Sequence, residues 1–226
     1  MLFYDKMFNM NIDWGYLVIV LAMIFASMTL HELMHGLVAY WLGDDTAKTN
    51  GRLTLNPIKH IDPFLTILLP MMMVIANGFV GGMPIFGGAK PVPFRPDRVK
   101  GGEWGAALVG IAGPLTNLLI AFVFFGILAL ANPSGIWSMI TMSGVMVNLG
   151  FFAFNILPIP PLDGSRVLYA VAPDAVRRAM EFIERMGLVV VFAIVLIASP
   201  VLSVVLNAII NFILKVFAAI FGVVLV

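Results

Sequence analysis

The chain has 226 residues, of which 61% are hydrophobic and only 11% are charged, and its formal net charge is +1. Soluble domains carry about 25% charged residues, so this composition predicts an integral membrane protein. It excludes a nucleic-acid binder, a disordered chain and a disulfide-bonded secreted scaffold. Because there is no cysteine, a metal ion would have to be bound by His, Asp, Glu or a weaker oxygen donor.

The hydrophobic residues fall into five blocks along the chain. Since a membrane-spanning helix needs about 20 apolar residues, the length allows about four to six spans and no separate soluble domain. We therefore treat residues 1–226 as a single membrane-embedded domain. The blocks cover residues 14–42, 64–87, 104–131, 136–161 and 187–226. The last block is too long for one span and is either one span with an interfacial tail or two short spans.

Helix-breaking residues set the second block apart from the others. Proline and glycine recur through residues 64–87, which favours a re-entrant segment or a shallow hairpin over a continuous span. The spaced prolines of residues 89–102 favour extended structure. Mixed charges between residues 163 and 186 predict a short surface helix at about residues 173–185.

The first block contains the sequence HELMH at residues 31–35. On a helix, His31 and His35 lie one turn apart on the same face and can bind one Zn²⁺, while Glu32 can serve as base for the water that the metal activates. The alternative is a chance match or two structural histidines. Ionisable groups inside a membrane segment are costly and usually functional, so we favour a metal site.

A catalytic zinc ion usually has three protein ligands, so one more ligand must come from elsewhere in the chain. Asp163 follows a proline-rich stretch at the end of the fourth block, and irregular backbone at membrane depth is tolerated only inside protein or beside a watery cavity. An Asp before Gly is also a common turn residue. From residue types alone the candidates for the third ligand are Asp44, Asp45, His60, Asp62 and Asp163.

Three motifs in this order resemble those of the site-2 protease family of intramembrane zinc metalloproteases. They are HELMH at 31–35, AGPLTN at 112–117 and NILPIPPLDGSR at 155–166. The stretch GRLTLNPIKHIDP at 51–63 resembles the short subfamily that has no PDZ or CBS domain. The resemblance covers nearly the whole chain and implies an all-α polytopic membrane protein. Its core would be three helices that carry the motifs, and residues 84–94 resemble the family's membrane-associated β-hairpin.

The resemblance also implies roles for individual residues. His31, His35 and Asp163 would be the ligands of one zinc ion, and Glu32 would be the catalytic base. Asn155 matches an asparagine of the family that is thought to assist substrate or oxyanion binding.

Two residues of the central motif are candidates for a supporting role. Gly113 is small enough to permit close helix approach. Asn117 either lines the site, supports a zinc ligand or serves packing alone. We interpret Asn148 as a packing residue and His60 as a local structural one.

The metal ligands must meet at one depth, and this requirement predicts a topology. The ends of the first and fourth blocks should share one side, and the third and fourth blocks form a hairpin, so residues 64–87 should cross the membrane an even number of times. Positive charge marks the cytoplasmic side, which predicts an outside N-terminus and a site toward the cytoplasm, in the plasma membrane of a prokaryote. The Lys and Arg residues on the predicted inner face are Lys48, Arg52, Lys59, Lys90, Arg95, Arg98, Lys100, Arg166, Arg177, Arg178 and Arg185.

The predicted function is peptide hydrolysis within the membrane, on or near the transmembrane segment of another protein. A zinc ion activates the water, Glu32 moves its proton, and Asn155 stabilises the oxyanion or only joins two helices. An unwound substrate could pair with a hairpin edge at residues 84–94. Two alternatives stay open: a membrane protein that binds or transports metal, and an inactive relative that binds helices without cutting them.

Overall fold

The computed structural model describes residues 14–68, 88–186 and 197–224, and these residues contain helices and irregular backbone but no β-strand. A 3₁₀ turn covers Pro57–His60 and a π-helical turn covers Pro63–Leu68. The α-helices are α1 (Trp14–Trp41), α2 (Thr46–Thr49), α3 (Gly102–Ala131), α4 (Ile136–Asn155), α5 (Gly164–Val171), α6 (Asp174–Arg185) and α7 (Ser199–Phe221).

Four of these helices, α1, α3, α4 and α7, are long and apolar enough to cross a membrane. Large apolar side chains cover their outer surfaces: Leu119 is 62% exposed, Leu130 77% and Phe212 68%. Apolar helices with such outer surfaces are typical of membrane spans, where lipid replaces water. The predicted class, an all-α protein with several membrane spans, is confirmed.

The central helix of the bundle is α3, which packs against α1, α4 and α5. Small residues permit the close contacts; at Gly144 on α4, a Cβ atom would lie 2.4 Å from the ring of Phe124 on α3. The last span, α7, packs on α3 and α4 through a cluster of phenylalanines that includes Phe125 and Phe217. The polar residues of α1, α3 and α4 therefore face one another inside a shell of apolar helices.

The fourth hydrophobic block ends as a helix at Asn155, six residues before its predicted end at residue 161. Prolines at 158, 160 and 161 explain this, because a proline removes a helical hydrogen bond and disfavours helix at the preceding residue. The chain then turns without regular structure to Asp163, which stands at the start of α5. The predicted surface helix corresponds to α6.

The end of α1 and the residues just before α3 lie next to each other. The backbone N–H of Lys100 donates to the carbonyl of Leu42 (2.8 Å), so the end of α1 touches the residues before α3. The N–H of Gly88 donates to the carbonyl of Leu65 (3.0 Å). Residues 65 and 88 thus lie side by side, although most of the predicted re-entrant segment, residues 69–87, lies outside the described residues.

The predicted β-hairpin at residues 84–94 is not confirmed. Residues 84–87 lie outside the described part of the chain, and residues 88–94 form no strand. Prolines at 91 and 93 lack the N–H groups that a strand ladder needs. In the last hydrophobic block, α7 is the described helix, and residues 187–196 fall outside the description.

Candidate metal centre

Both histidines of the HELMH motif point from α1 into the bundle. The spacing of four residues places them on one face of the helix, and their rings meet edge to face with centroids 4.6 Å apart. Both side chains are buried. The Nε2 atoms of His31 and His35 are 3.0 Å apart, so both nitrogens border the same small space.

Asp163 completes a group of three side chains that could hold a metal ion. Its Oδ2 atom lies 3.0 Å from Nε2 of His31 and 3.3 Å from Nε2 of His35. A tetrahedral zinc ion with bonds of about 2.0–2.1 Å needs ligand atoms about 3.3 Å apart. Among the described residues, these three side chains could hold a metal ion together.

The second ring nitrogen of each histidine is fixed by an oxygen on α3. Nδ1 of His35 lies 2.7 Å from the carbonyl oxygen of Val109, and because a carbonyl cannot donate, this nitrogen carries the proton. Nδ1 of His31 likewise donates to Oδ1 of Asn117 at 2.6 Å. With the protons on Nδ1, both Nε2 lone pairs face the site, as metal binding requires.

A buried amide chain extends from His31 to α4. Asn117 donates from Nδ2 to Oδ1 of Asn148 at 2.9 Å, and Asn148 donates to the carbonyl of Gly144 at 2.8 Å. Both asparagines are fully buried. Asn117 therefore supports a histidine, and Asn148 holds Asn117, a contact that our packing interpretation of Asn148 missed. The available signal was an uncharged amide inside an apolar span, where it must find a partner.

Gly113 lies against both imidazoles. A Cβ atom at this position would be 2.3 Å from Nε2 of His35 and 2.7 Å from Nε2 of His31. Both distances are shorter than van der Waals contact, so any side chain would push into the two Nε2 atoms. Glycine at 113 leaves the space beside both nitrogens open, which fits a bound ion there.

Glu32 is buried and lines the same cavity as the two histidines and Asp163. Its Oε2 atom accepts a hydrogen bond from the backbone N–H of Val92 at 2.8 Å. Val92 is 60 residues away in the chain, and the sequence analysis did not identify it.

The cavity has a volume of about 280 Å³. Asn155 contributes to its wall from the last turn of α4, where the side-chain Nδ2 donates to the carbonyl of Phe151 at 3.0 Å. Other parts of the wall are formed by Gly88, Ala89, Pro91, Val92 and Arg166. Polar groups of the metal site therefore open into a space that is otherwise bordered by apolar side chains and loop backbone.

The other four candidates for a third metal ligand have local partners. None of them lies in the three-residue group. Asp44 is held by the amides of Thr46 and Arg95, Asp45 by Arg98, His60 by the carbonyl of Thr54, and Asp62 by the amides of Phe64 and Leu65.

The sequence is similar to known proteins over most of its length. The profile of peptidase family M50 matches residues 129–198. "Putative zinc metalloprotease YwhC" of Bacillus subtilis is 43% identical over 184 residues, which are 77% of this chain and 77% of that protein. "Putative zinc metalloprotease Rip2" of Mycolicibacterium smegmatis is 32% identical over 84% of this chain and 70% of its own. "Zinc metalloprotease MJ0392" of Methanocaldococcus jannaschii is 30% identical over 72% of this chain and 36% of its own. No solved structure matches the chain.

Proposed function

This chain belongs to peptidase family M50, the site-2 protease family, and on that premise we propose that it hydrolyses peptide bonds in or near the transmembrane segments of other proteins. It is a membrane metallopeptidase, and the proposal concerns its substrate class and chemistry. The observation that carries it is the meeting of His31, His35 and Asp163 beside Glu32, inside apolar spans.

His31, His35 and Asp163 would hold one Zn²⁺, the metal named in the relatives. Two imidazoles and a carboxylate at tetrahedral spacing are a zinc-type donor set, and the ion would supply a Lewis acid that polarises a carbonyl and acidifies water. The chain contributes the orientation of the donors. Asn117 and the Val109 carbonyl keep both Nε2 atoms turned toward the site, and Gly113 keeps the space open.

Glu32 is the proposed general base. It takes a proton from the attacking water and delivers it to the nitrogen of the leaving peptide. Its buried place in the same cavity as the metal-binding group supports this role. Asn155, in the cavity wall, is the proposed donor to the oxyanion that develops on the scissile carbonyl.

A transmembrane segment is the proposed substrate because the cavity lies among membrane spans. The carbonyls of an intact helix are hydrogen-bonded and shielded, so a substrate must present an unwound stretch. Ala89 and Pro91 border the cavity on backbone that forms no helix, and such a stretch could lie along them.

The site is proposed to lie in the cytoplasmic half of a prokaryotic plasma membrane. The contact between Lys100 and Leu42 puts the end of α1 and the start of α3 on one face. This supports an even number of crossings between them. The basic residues of the two loop regions then share that face, as the positive-inside rule requires.

The test compares purified wild type with Glu32→Gln on model transmembrane substrates, with zinc measured in each preparation. We expect the variant to keep its zinc and to lose cleavage by at least about a hundredfold, the usual contribution of a general base. Glu103→Gln, at an exposed glutamate on the first turn of α3, is the matched control and should cleave normally.

Two outcomes would contradict the proposal. Undiminished cleavage by Glu32→Gln would exclude Glu32 as the base. Zinc in both proteins with cleavage by neither, across a broad panel of model transmembrane substrates, would favour a helix-binding protein without protease activity.

A further inference from the structure

Residues 88–92 run beside the site without regular secondary structure, and we call them the strap. Both backbone polar groups of Gly88 form hydrogen bonds with the π-helical turn. Its N–H donates to the carbonyl of Leu65 (3.0 Å), and its carbonyl accepts from the side-chain hydroxyl of Thr66 (2.6 Å). Alternate residues of an extended chain direct their backbone groups to the same side. The next residue of this series is Lys90.

Lys90 repeats the pattern of Gly88. Its N–H donates to the carbonyl of His60 at 2.9 Å, and its carbonyl accepts from Nη2 of Arg52 at 2.7 Å. Arg52 is 8% exposed and His60 is fully buried, so these partners are fixed parts of the loop after α2. The strap is thus tied at two alternate residues to the segment 52–66.

The third residue of the series, Val92, is bonded to Glu32 instead. Its N–H donates to Oε2 at 2.8 Å in a buried position. Hydrogen bonds to a carboxylate are roughly twice as strong as those between neutral groups. This bond therefore fixes the rotation of the carboxylate and leaves Oε1 as the oxygen that the strap does not bind.

Two features make the Val92 amide a well-defined donor. Prolines at 91 and 93 carry no N–H, so Val92 supplies the only backbone donor of this Pro-Val-Pro sequence. Its side chain rests on α1 next to Leu53: a Cβ atom on Gly36 would lie 3.1 Å from Cγ1 of Val92 and 2.6 Å from Leu53. The strap consequently sits against the helix that carries Glu32.

We propose that the strap is a positioning element for Glu32, with the Val92 amide orienting the carboxylate for proton transfer and Arg52 holding the strap in register. The inference rests on the proposed function, since it assigns a support to the proposed base. Val92 and Arg52 are positioning residues that act through Glu32. Neither belongs to the metal-binding group, so their effect should fall on turnover and not on zinc.

The test is the pair Val92→Pro and Val92→Ala. Both variants remove the valine methyl groups, but only proline removes the N–H, and a proline between two prolines is compatible with extended backbone. Cleavage of a model transmembrane substrate is measured as separate kcat and KM values, beside zinc content. We expect Val92→Ala to stay within about threefold of wild type, and Val92→Pro to lose about tenfold or more in kcat at unchanged KM and zinc.

A second pair keeps the inference testable if Val92→Pro does not fold. Arg52→Met removes the donor to the Lys90 carbonyl, and Arg52→Lys restores one. We expect a lower kcat with zinc retained in Arg52→Met, and partial recovery in Arg52→Lys.

Equal kcat values for Val92→Pro and Val92→Ala would overturn the inference. If Val92→Pro does not fold, equal kcat values for Arg52→Met and Arg52→Lys would overturn it. Loss of zinc in folded Val92→Pro or Arg52→Met would also overturn it, because a purely structural role would then suffice. Glu32→Gln distinguishes failure of the proposed function from failure of the strap proposal. If that variant cleaves normally, the proposed function is wrong. If it is inactive while the two variants of each pair have the same kcat, only the proposed role of the strap is wrong.

Discussion

The histidine side of the site and the Glu32 side are supported by different kinds of structure. His31 and His35 are fixed by an amide and a carbonyl on α3, inside a helix bundle. Glu32 is fixed by the amide of Val92, on irregular backbone that is itself held by a loop. Helical partners in a bundle can shift little, whereas loop backbone moves more readily. Metal retention and turnover should therefore respond to different substitutions.

The largest effect on the histidine side is expected from Gly113→Ala. The added methyl group would press on both Nε2 atoms, so we expect zinc affinity to fall more than about a hundredfold and cleavage to vanish. Alanine favours helix over glycine by about 1 kcal/mol, so lost helix propensity cannot explain the result.

The matched control for this variant is Gly150→Ala. No atom lies within 4 Å of a Cβ placed at that glycine, so zinc content and cleavage should stay at the wild-type level. Zinc measured by metal analysis after dialysis decides the comparison. Wild-type zinc content in Gly113→Ala would show that the helices around the histidines can move apart, which would contradict the proposed difference between the two sides of the site.

An intermediate effect is expected from Asn117→Ala. This variant removes the acceptor that fixes the Nδ1 proton of His31, and loss of such a partner typically lowers metal affinity by about 10–100-fold. Zinc affinity is measured by competition with a chelator. Thr116→Ala is the control, since that hydroxyl bonds the carbonyl of Ala112 within its own helix. An unchanged zinc affinity in Asn117→Ala would contradict the proposal that the helical partners of the histidines control metal retention.

The smallest effect is expected from Asp44→Asn, beyond the far end of the strap. Burial works to raise the pKa of Asp44, but hydrogen bonds from Thr46 and from the amide of Arg95 hold it below its ordinary value. Asparagine has one acceptor oxygen where aspartate has two, so one of these hydrogen bonds is lost. We expect the free energy of unfolding to fall by about 1–3 kcal/mol with zinc content unchanged.

The sign of the pH effect at Asp44 follows from the direction of its shift. A lowered pKa stabilises the fold above the ordinary value of 3.8, and this contribution is lost as the pH falls through the lower, folded-state pKa. Wild type should therefore lose stability in acid more steeply than Asp44→Asn in thermal unfolding scans. Asp45→Asn, at an exposed neighbour, is the control; parallel curves for Asp44→Asn and wild type would contradict the assignment.

The sequence predicts those features that depend on local patterns. The sequence allows about four to six spans, and the four described ones each overlap a hydrophobic block. The helical spacing of His31 and His35 places them together. Asp163 could be ranked by its proline-rich setting, but only the folded chain brings it to within 3.3 Å of both histidines. Its competitors, such as Asp44 and His60, are equally suitable residue types and differ only in where the fold puts them.

Long-range backbone contacts could not be predicted in this way. The bond from Val92 to Glu32 joins residues 60 positions apart through a main-chain N–H. Every residue except proline has this group, so the residue type does not indicate which one will bond Glu32. The hairpin prediction at residues 84–94 relied on resemblance to the family's hairpin. In residues 88–92, however, the backbone pairs with side chains and loop carbonyls instead of a neighbouring strand.

The side-by-side placement of Leu65 and Gly88 has an evolutionary consequence. Because the chain departs from and returns to one point, the distance between the two ends does not depend on how many residues connect them. Insertions and deletions between these two residues can therefore arise in descendants of this protein without changing the contact between residues 65 and 88 that leads into the bundle.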